Sequence, residues 1–190
     1  MKTHVKKAAL ATMALAASVV LGTAQIERLN LDQMIERTDN AVIGKIVKQE
    51  VIRIDHPTDG PELYYTHLTV EGRSLVNGKS TTQVVTFPGG FINDKEGVWN
   101  SEAPSMDDIK IGNSVVVFHK WSDNMGGDLA AHSLFAAHGG LYRTVENKSD
   151  TVVLGRGEGY AINQNIKLSG LDAQITAIDK VQKKAQESGK

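Results

Sequence analysis

The chain has 190 residues, enough for one domain or at most two, with 41% hydrophobic and 23% charged residues, which excludes a disordered chain. Its 21 Lys+Arg against 22 Asp+Glu give a formal charge of −1, which argues against a protein that coats nucleic acid. Cysteine is absent, and with it go disulfides, thiolate metal sites, a cysteine nucleophile and a lipid anchor on Cys.

Met1 to Ala24 reads as a secretory signal peptide. Lys2, Lys6 and Lys7 make a basic start, Ala8 to Gly22 is an uncharged apolar run, and Gly22-Thr23-Ala24 offers small residues at the cleavage positions, leaving Gln25 first. The run is shorter than the roughly 20 apolar residues a bilayer core demands. Removing residues 1–24 takes away three lysines and no acid, leaving 166 residues of net charge −4. The expected destination is the periplasm or the cell exterior, with no membrane attachment once the leader is cleaved.

Asn30 and Gln33 form a capping box for a short helix over 31–38, with Leu31, Met34 and Ile35 on one face. Ala41 to Ile54 is β-branched and predicts a strand, ended by the turn Asp55 to Pro61. Tyr64, Thr66, Leu68 and Val70 then alternate with Tyr65, His67, Thr69 and Glu71, the period of a half-buried strand. Asn77-Gly78 signals a hairpin, and Gln83 to Phe87 returns as a strand ending at Pro88-Gly89-Gly90. Phe91 to Gly112 reads as a long loop with room for one short strand. Ser114 to Trp121 is the most strand-like run, Asn124 to Gly127 a turn, and Leu129–Ala137, Leu141–Val145 and Thr151–Leu154 three further strands. Ser169 and Asp172 predict a capping box for a C-terminal helix over 171–184, with Leu171, Ile175, Ile178 and Val181 on one face and a frayed tail, 186–190. The expected fold is mainly β: a small OB-like barrel, closed or partly open, spanning 25–185, with a short N-terminal helix and a C-terminal helix.

The order of these elements is similar to that of a broad group of bacterial secreted domains of uncharacterised activity with an OB-like β-barrel. The resemblance rests on Asp39 to Val47, Tyr64 to Val70, Asn77-Gly78-Lys79, Phe87 to Gly90 and Ile111 to Phe118, in that succession over residues 29–178. The chain departs from the pattern at the hairpin, Asn-Gly-Lys instead of Lys-Gly, and at Asn113, where an acid is usual. The group has no agreed catalytic residues to transfer. Its barrel is similar in shape to netrin-like inhibitor modules, whose N-terminal Cys this chain lacks.

Motifs for chemistry are few. His119, His132 and His138 could form a three-histidine zinc site, but their spacing fits no ligand motif, so each reads as a surface or loop histidine, with no metal and no cofactor expected. No Gly-x-Ser-x-Gly marks a nucleophile, and Gly155 to Gly159 lacks the following helix of a phosphate cradle. Asp107 and Asp108 read as a solvated acidic loop. Trp121 ends a strand, as part of a binding patch or a rim aromatic, and Trp99 is either a surface anchor or a core residue. The candidate binding residues are therefore Trp121 and, in the 91–112 loop whose acidity favours a basic partner, Trp99, Asp107 and Asp108. The function expected is a non-enzymatic exported binding module for a protein, peptide or glycan and not for nucleic acid. The alternative is a secreted hydrolase whose site is assembled from sequence-distant polar residues.

Overall fold

A computed structural model describes residues 28–188, with side chains to residue 181. The expected signal peptide and Gln25 lie outside the described residues. Helix α1 (Leu31–Arg37) carries the predicted capping box: the Gln33 amide donates to Asn30 Oδ1 at 2.8 Å and the Asn30 amide to Gln33 Oε1 at 3.0 Å. Strands β1 (Asn40–His56), β2 (Gly60–Ser74) and β3 (Ser80–Pro88) follow as an antiparallel meander. After β4 (Gly90–Asn93) and β5 (Glu96–Val98) come β6 (Ser114–Ser122) and β7 (Ala131–Leu134). β6 pairs antiparallel with both β1 and β7, and β7 runs parallel to β3. The order β1-β2-β3-β7-β6 thus closes on itself, an OB-like barrel of five strands.

Beyond the barrel, β8 (Leu141–Asn147), β9 (Asp150–Val153) and β10 (Ile166–Lys167) extend the sheet from β6, and helix α2 (Leu168–Ser188) packs on β9 and α1. Two cores result. Val42, Ile46, Leu68, Val85, Phe87, Val115, Val117 and Leu134 fill the barrel. The other side of β1 and β6 (Ala41, Val116, Phe118) packs with Tyr142 and Val153 against Met34, Ile35, Leu171 and Ile175 of the two helices. β6 is buried on both faces, and that is why its sequence is a continuous apolar run where β2 alternates. Gly44 and Gly72 face each other across β1 and β2; a Cβ on either would collide with the other strand's backbone.

Several expectations change. The 91–112 stretch holds two short strands, which pair as the β4–β5 hairpin. The strand expected over Leu129–Ala137 shrinks to β7, because Ala136 (φ 54°) and Ala137 (φ 52°) turn left-handed into a 3-10 turn, 137–140. The Ser169–Asp172 capping box does not form. α2 begins at Leu168, Ser169 Oγ donates to Asp150, and Asp172 accepts from Arg73 on β2. Val181 is exposed, and the helix continues through Ser188 past the point where it was expected to fray.

Candidate functional site: the groove beneath Trp99

Pro88-Gly89-Gly90 bends the chain off β3 and lays the β4–β5 hairpin against β1 and β2. Gly89 (φ 96°) and Gly90 (φ 130°) are both in the left-handed half of backbone space. Thr66 Oγ1 donates to the Gly89 carbonyl at 2.6 Å, and a Cβ on Gly90 would strike Thr66 and Val51. The hairpin turns at Asn93, whose Oδ1 accepts from the Lys95 amide at 3.0 Å. On its return it presents Val98 and Trp99 to solvent.

Trp99 is 74% exposed, so the structure makes it a surface residue and not a barrel strand's core side chain. It stands at a cavity of about 340 Å³ lined by Glu62, Leu63, Tyr64, Tyr65, Pro88, Gly89, Val98 and Asn100. Two of its polar neighbours are engaged within the fold. Asn100 donates from Nδ2 to the Pro88 carbonyl at 3.0 Å and accepts from the Glu102 amide at 2.9 Å. The Tyr65 hydroxyl donates to the Met125 carbonyl at 2.7 Å, and burial pushes its pKa up, with Asp59 adding to the effect.

The rim is acidic. Glu62 holds a left-handed φ of 64°, uncommon for a residue with a side chain, and its amide donates to Asp55 Oδ1 at 3.0 Å. That bond and the Arg53 guanidinium hold the Asp55 carboxyl below the usual range. Arg53 is shared by three carboxylates, Asp55 at 3.0 Å, Glu96 at 3.4 Å and Glu62 at 3.7 Å, so the cluster keeps net negative charge. The β1–β2 and β6–β7 loops meet beside it: the Gly127 amide donates to Asp59 at 2.7 Å, and His56 Nε2 lies 3.2 Å from Asp128. These loops and the β2–β3 face are where OB barrels commonly take ligands.

No protein-family model, no curated protein and no solved structure matches the chain. The site therefore rests on its own geometry.

The other candidate residues have separate surroundings. Asp107 pairs with Lys110 at 2.6 Å, and that ammonium lowers its pKa. Asp108 is mostly buried and sits 3.4 Å from Arg156, which also donates to the His138 and Leu141 carbonyls and lies over the Tyr160 ring. The Asp107 and Asp108 carbonyls both accept from Asn113, so this segment is a tied-down turn in which Asp108 is not a freely solvated acid. Trp121 is 47% exposed, donates from Nε1 to Asp123 and packs on His132 with ring centroids 5.0 Å apart. Missed in the sequence were Glu62, Leu63, Tyr64, Tyr65, Pro88 and Asn100. The adjacent tyrosines were the available signal, since neighbours on a strand point to opposite faces and cannot both fill the barrel.

The histidines also depart from expectation. His119 is no surface residue: only 2% exposed, it points into the end of the barrel against His132, with centroids 4.7 Å apart. Neither His119 ring nitrogen has a hydrogen-bond partner, nor does His132 Nδ1. Burial, aided by His132 and opposed by Asp39, depresses the His119 pKa to about 4. His138 lies elsewhere, 3.1 Å from the Tyr160 hydroxyl. Among the described residues no three His, Asp or Glu side chains converge as metal ligands. On the outer face His67 Nδ1 meets Thr86 Oγ1 at 2.7 Å, but Thr86 is fully buried, which denies a substrate access to that hydroxyl.

Proposed function

We propose that the protein is an exported, non-enzymatic β-barrel module that binds its partner in the groove beneath Trp99. The observation that carries this reading is the indole left three-quarters exposed over an apolar cavity. A tryptophan presents roughly 150–250 Å² for burial, and such residues dominate interface energetics. The resemblance to secreted OB-like domains and the basic, apolar N-terminus support export, which predicts a secreted chain beginning at Gln25. Against the hydrolase alternative stands the composition of the cavities. Among the described residues, none of the four cavities of about 340–480 Å³ brings a histidine together with a serine.

Peptide and glycan arrays probed with the wild type and with Trp99→Ala test the reading. Array signals that vanish in a variant of unchanged melting temperature are expected. Equal binding by both proteins, or turnover of the arrayed compounds, overturns it.

A further inference from the structure

Resting on that reading of the groove, we infer that its ligand is an extended peptide segment bearing lysine or arginine. The aliphatic stem of one basic side chain lies on the floor formed by Leu63, Tyr64 and Val98, and its cation meets the Trp99 indole and the Glu62 carboxylate.

Three observations lead there. The first is charge. Glu62 lines the groove, and Asp55 and Glu96 stand beside it around Arg53, three carboxylates against one permanent cation. Arg53 is already divided among Asp55, Glu62 and Glu96, so an incoming cation finds carboxylate that the fold has not neutralised. The same carboxylates repel an acidic segment.

The second is hydrogen-bonding capacity. A neutral glycan needs an array of free donors and acceptors beside its aromatic platform, and here the Asn100 amide, the Tyr65 hydroxyl and the Thr66 hydroxyl are all engaged within the fold. What stays open is a largely apolar floor with the single Tyr64 hydroxyl, an indole and Glu62, whose side chain is 62% exposed. An aliphatic stem ending in a cation matches that set, and cations bind tryptophan faces best among the aromatics.

The third concerns the strand edge. β2 extends beyond Tyr65, the residue that pairs with Pro88 at the end of β3, so its first residues have β1 on one side only. Pro61 and Pro88 offer no amide there, and the register between β1 and β2 shifts at Ile54/His56. These features block the addition of another strand, so a partner is held by its side chains and not by backbone pairing.

The test uses the full chain and four fluorescein-labelled probes: an acetyl-Gly-Lys-Gly-Lys-Gly amide, its norleucine and glutamate counterparts, and chitohexaose. Binding is followed by anisotropy and by the Trp99 indole resonance. The lysine peptide is expected to shift that resonance and the norleucine and glutamate peptides to leave it unmoved. Trp99→Ala and Glu62→Gln are each expected to weaken the lysine peptide about tenfold. Trp99→Phe restores part of the loss, and Glu146→Gln, on β8, changes nothing. Equal weakening by Glu62→Gln and Glu146→Gln would reduce the effect to diffuse charge and overturn the inference. Trp99-dependent binding of the norleucine or glutamate peptide or of chitohexaose, without the lysine peptide, overturns the cationic ligand while leaving the groove a binding site. If no probe moves the Trp99 resonance, the binding-site reading falls with it.

Discussion

The two tryptophans sit in places that fail to satisfy their surroundings in opposite ways. At the barrel end, Trp121 is anchored by Asp123 through its indole N–H and by Asp39 through its backbone amide, and its ring closes over His132 and, behind it, His119. About half of the Trp121 ring is covered there, yet three imidazole nitrogens are left without partners. In the groove the Asn100 amide and the Tyr65 hydroxyl beside Trp99 are hydrogen-bonded while a large apolar ring stands in water. An orphaned buried nitrogen costs stability and gains nothing from a partner molecule that cannot reach it. An exposed ring costs the fold little and is available for binding. The first arrangement therefore bears on folding and pH response, and the second is the one on which the proposed recognition rests.

The largest effect that would sharpen this contrast lies on the packed side of β6. Phe118 is fully buried and meets Tyr142 edge-on at 6.1 Å, so Phe118→Ala is expected to cost about 3–5 kcal/mol in denaturant unfolding. A loss below about 1 kcal/mol would mean that the second core is not formed as described.

His119 comes next. Its folded pKa of about 4 lies below the ordinary histidine value near 6.5, so the unfolded chain binds the extra proton between those pH values. The stability this residue contributes is whole above about pH 6.5 and is lost as pH falls toward 4, by about 2–3 kcal/mol at pH 4.5. His119→Leu removes the titrating group and two unpartnered nitrogens. It should be no less stable at pH 7 and should lose less stability than the wild type between pH 7 and 4.5. Parallel stability–pH curves for the two proteins would show that burial of this imidazole is not what resists protonation.

A smaller effect is expected where α2 is tied to the barrel. Arg73 and Asp172 are partly exposed, so Asp172→Ala should cost about 1 kcal/mol or less in the same unfolding measurement. The smallest is Trp99→Ala, expected to change stability by less than about 0.5 kcal/mol. A loss near that of Phe118→Ala would erase the distinction between the two regions and make Trp99 a core residue.

What could be read along the chain was whatever neighbouring residues decide among themselves. The Asn30–Gln33 capping box, the Asn77-Gly78 hairpin, the alternation of β2 and the apolar run of β6 all act within a few residues, and the structure contains each of them. The β4–β5 hairpin was less legible because its place depends on Gly89 and Gly90 fitting against Thr66 and Val51, more than twenty residues earlier. The left-handed turn at Ala136 and Ala137 was illegible, since alanine carries no turn preference and only tertiary packing holds it there. Ser169 and Asp172 had the spacing of a cap, but Asp150 and Arg73 drew their side chains away, a competition that no local pattern records.

The candidate site divides along the same line. Trp99 and the acidity of its loop could be named from the sequence, because composition and the length of a connection are properties of the chain itself. That Trp99 faces water, that Tyr64 and Tyr65 lie beneath it and that Arg53 is shared by three carboxylates were decided only when the β1-β2-β3 meander and the β4–β5 hairpin brought residues 53–65 against 88–100. Sequence alone determined which strands could form and the residue types each would carry, because backbone propensity and side-chain alternation are short-ranged. Tertiary structure decided which side chains share a groove and which nitrogens lose their partners, because burial and charge pairing are set by distances in space and not by spacing along the chain.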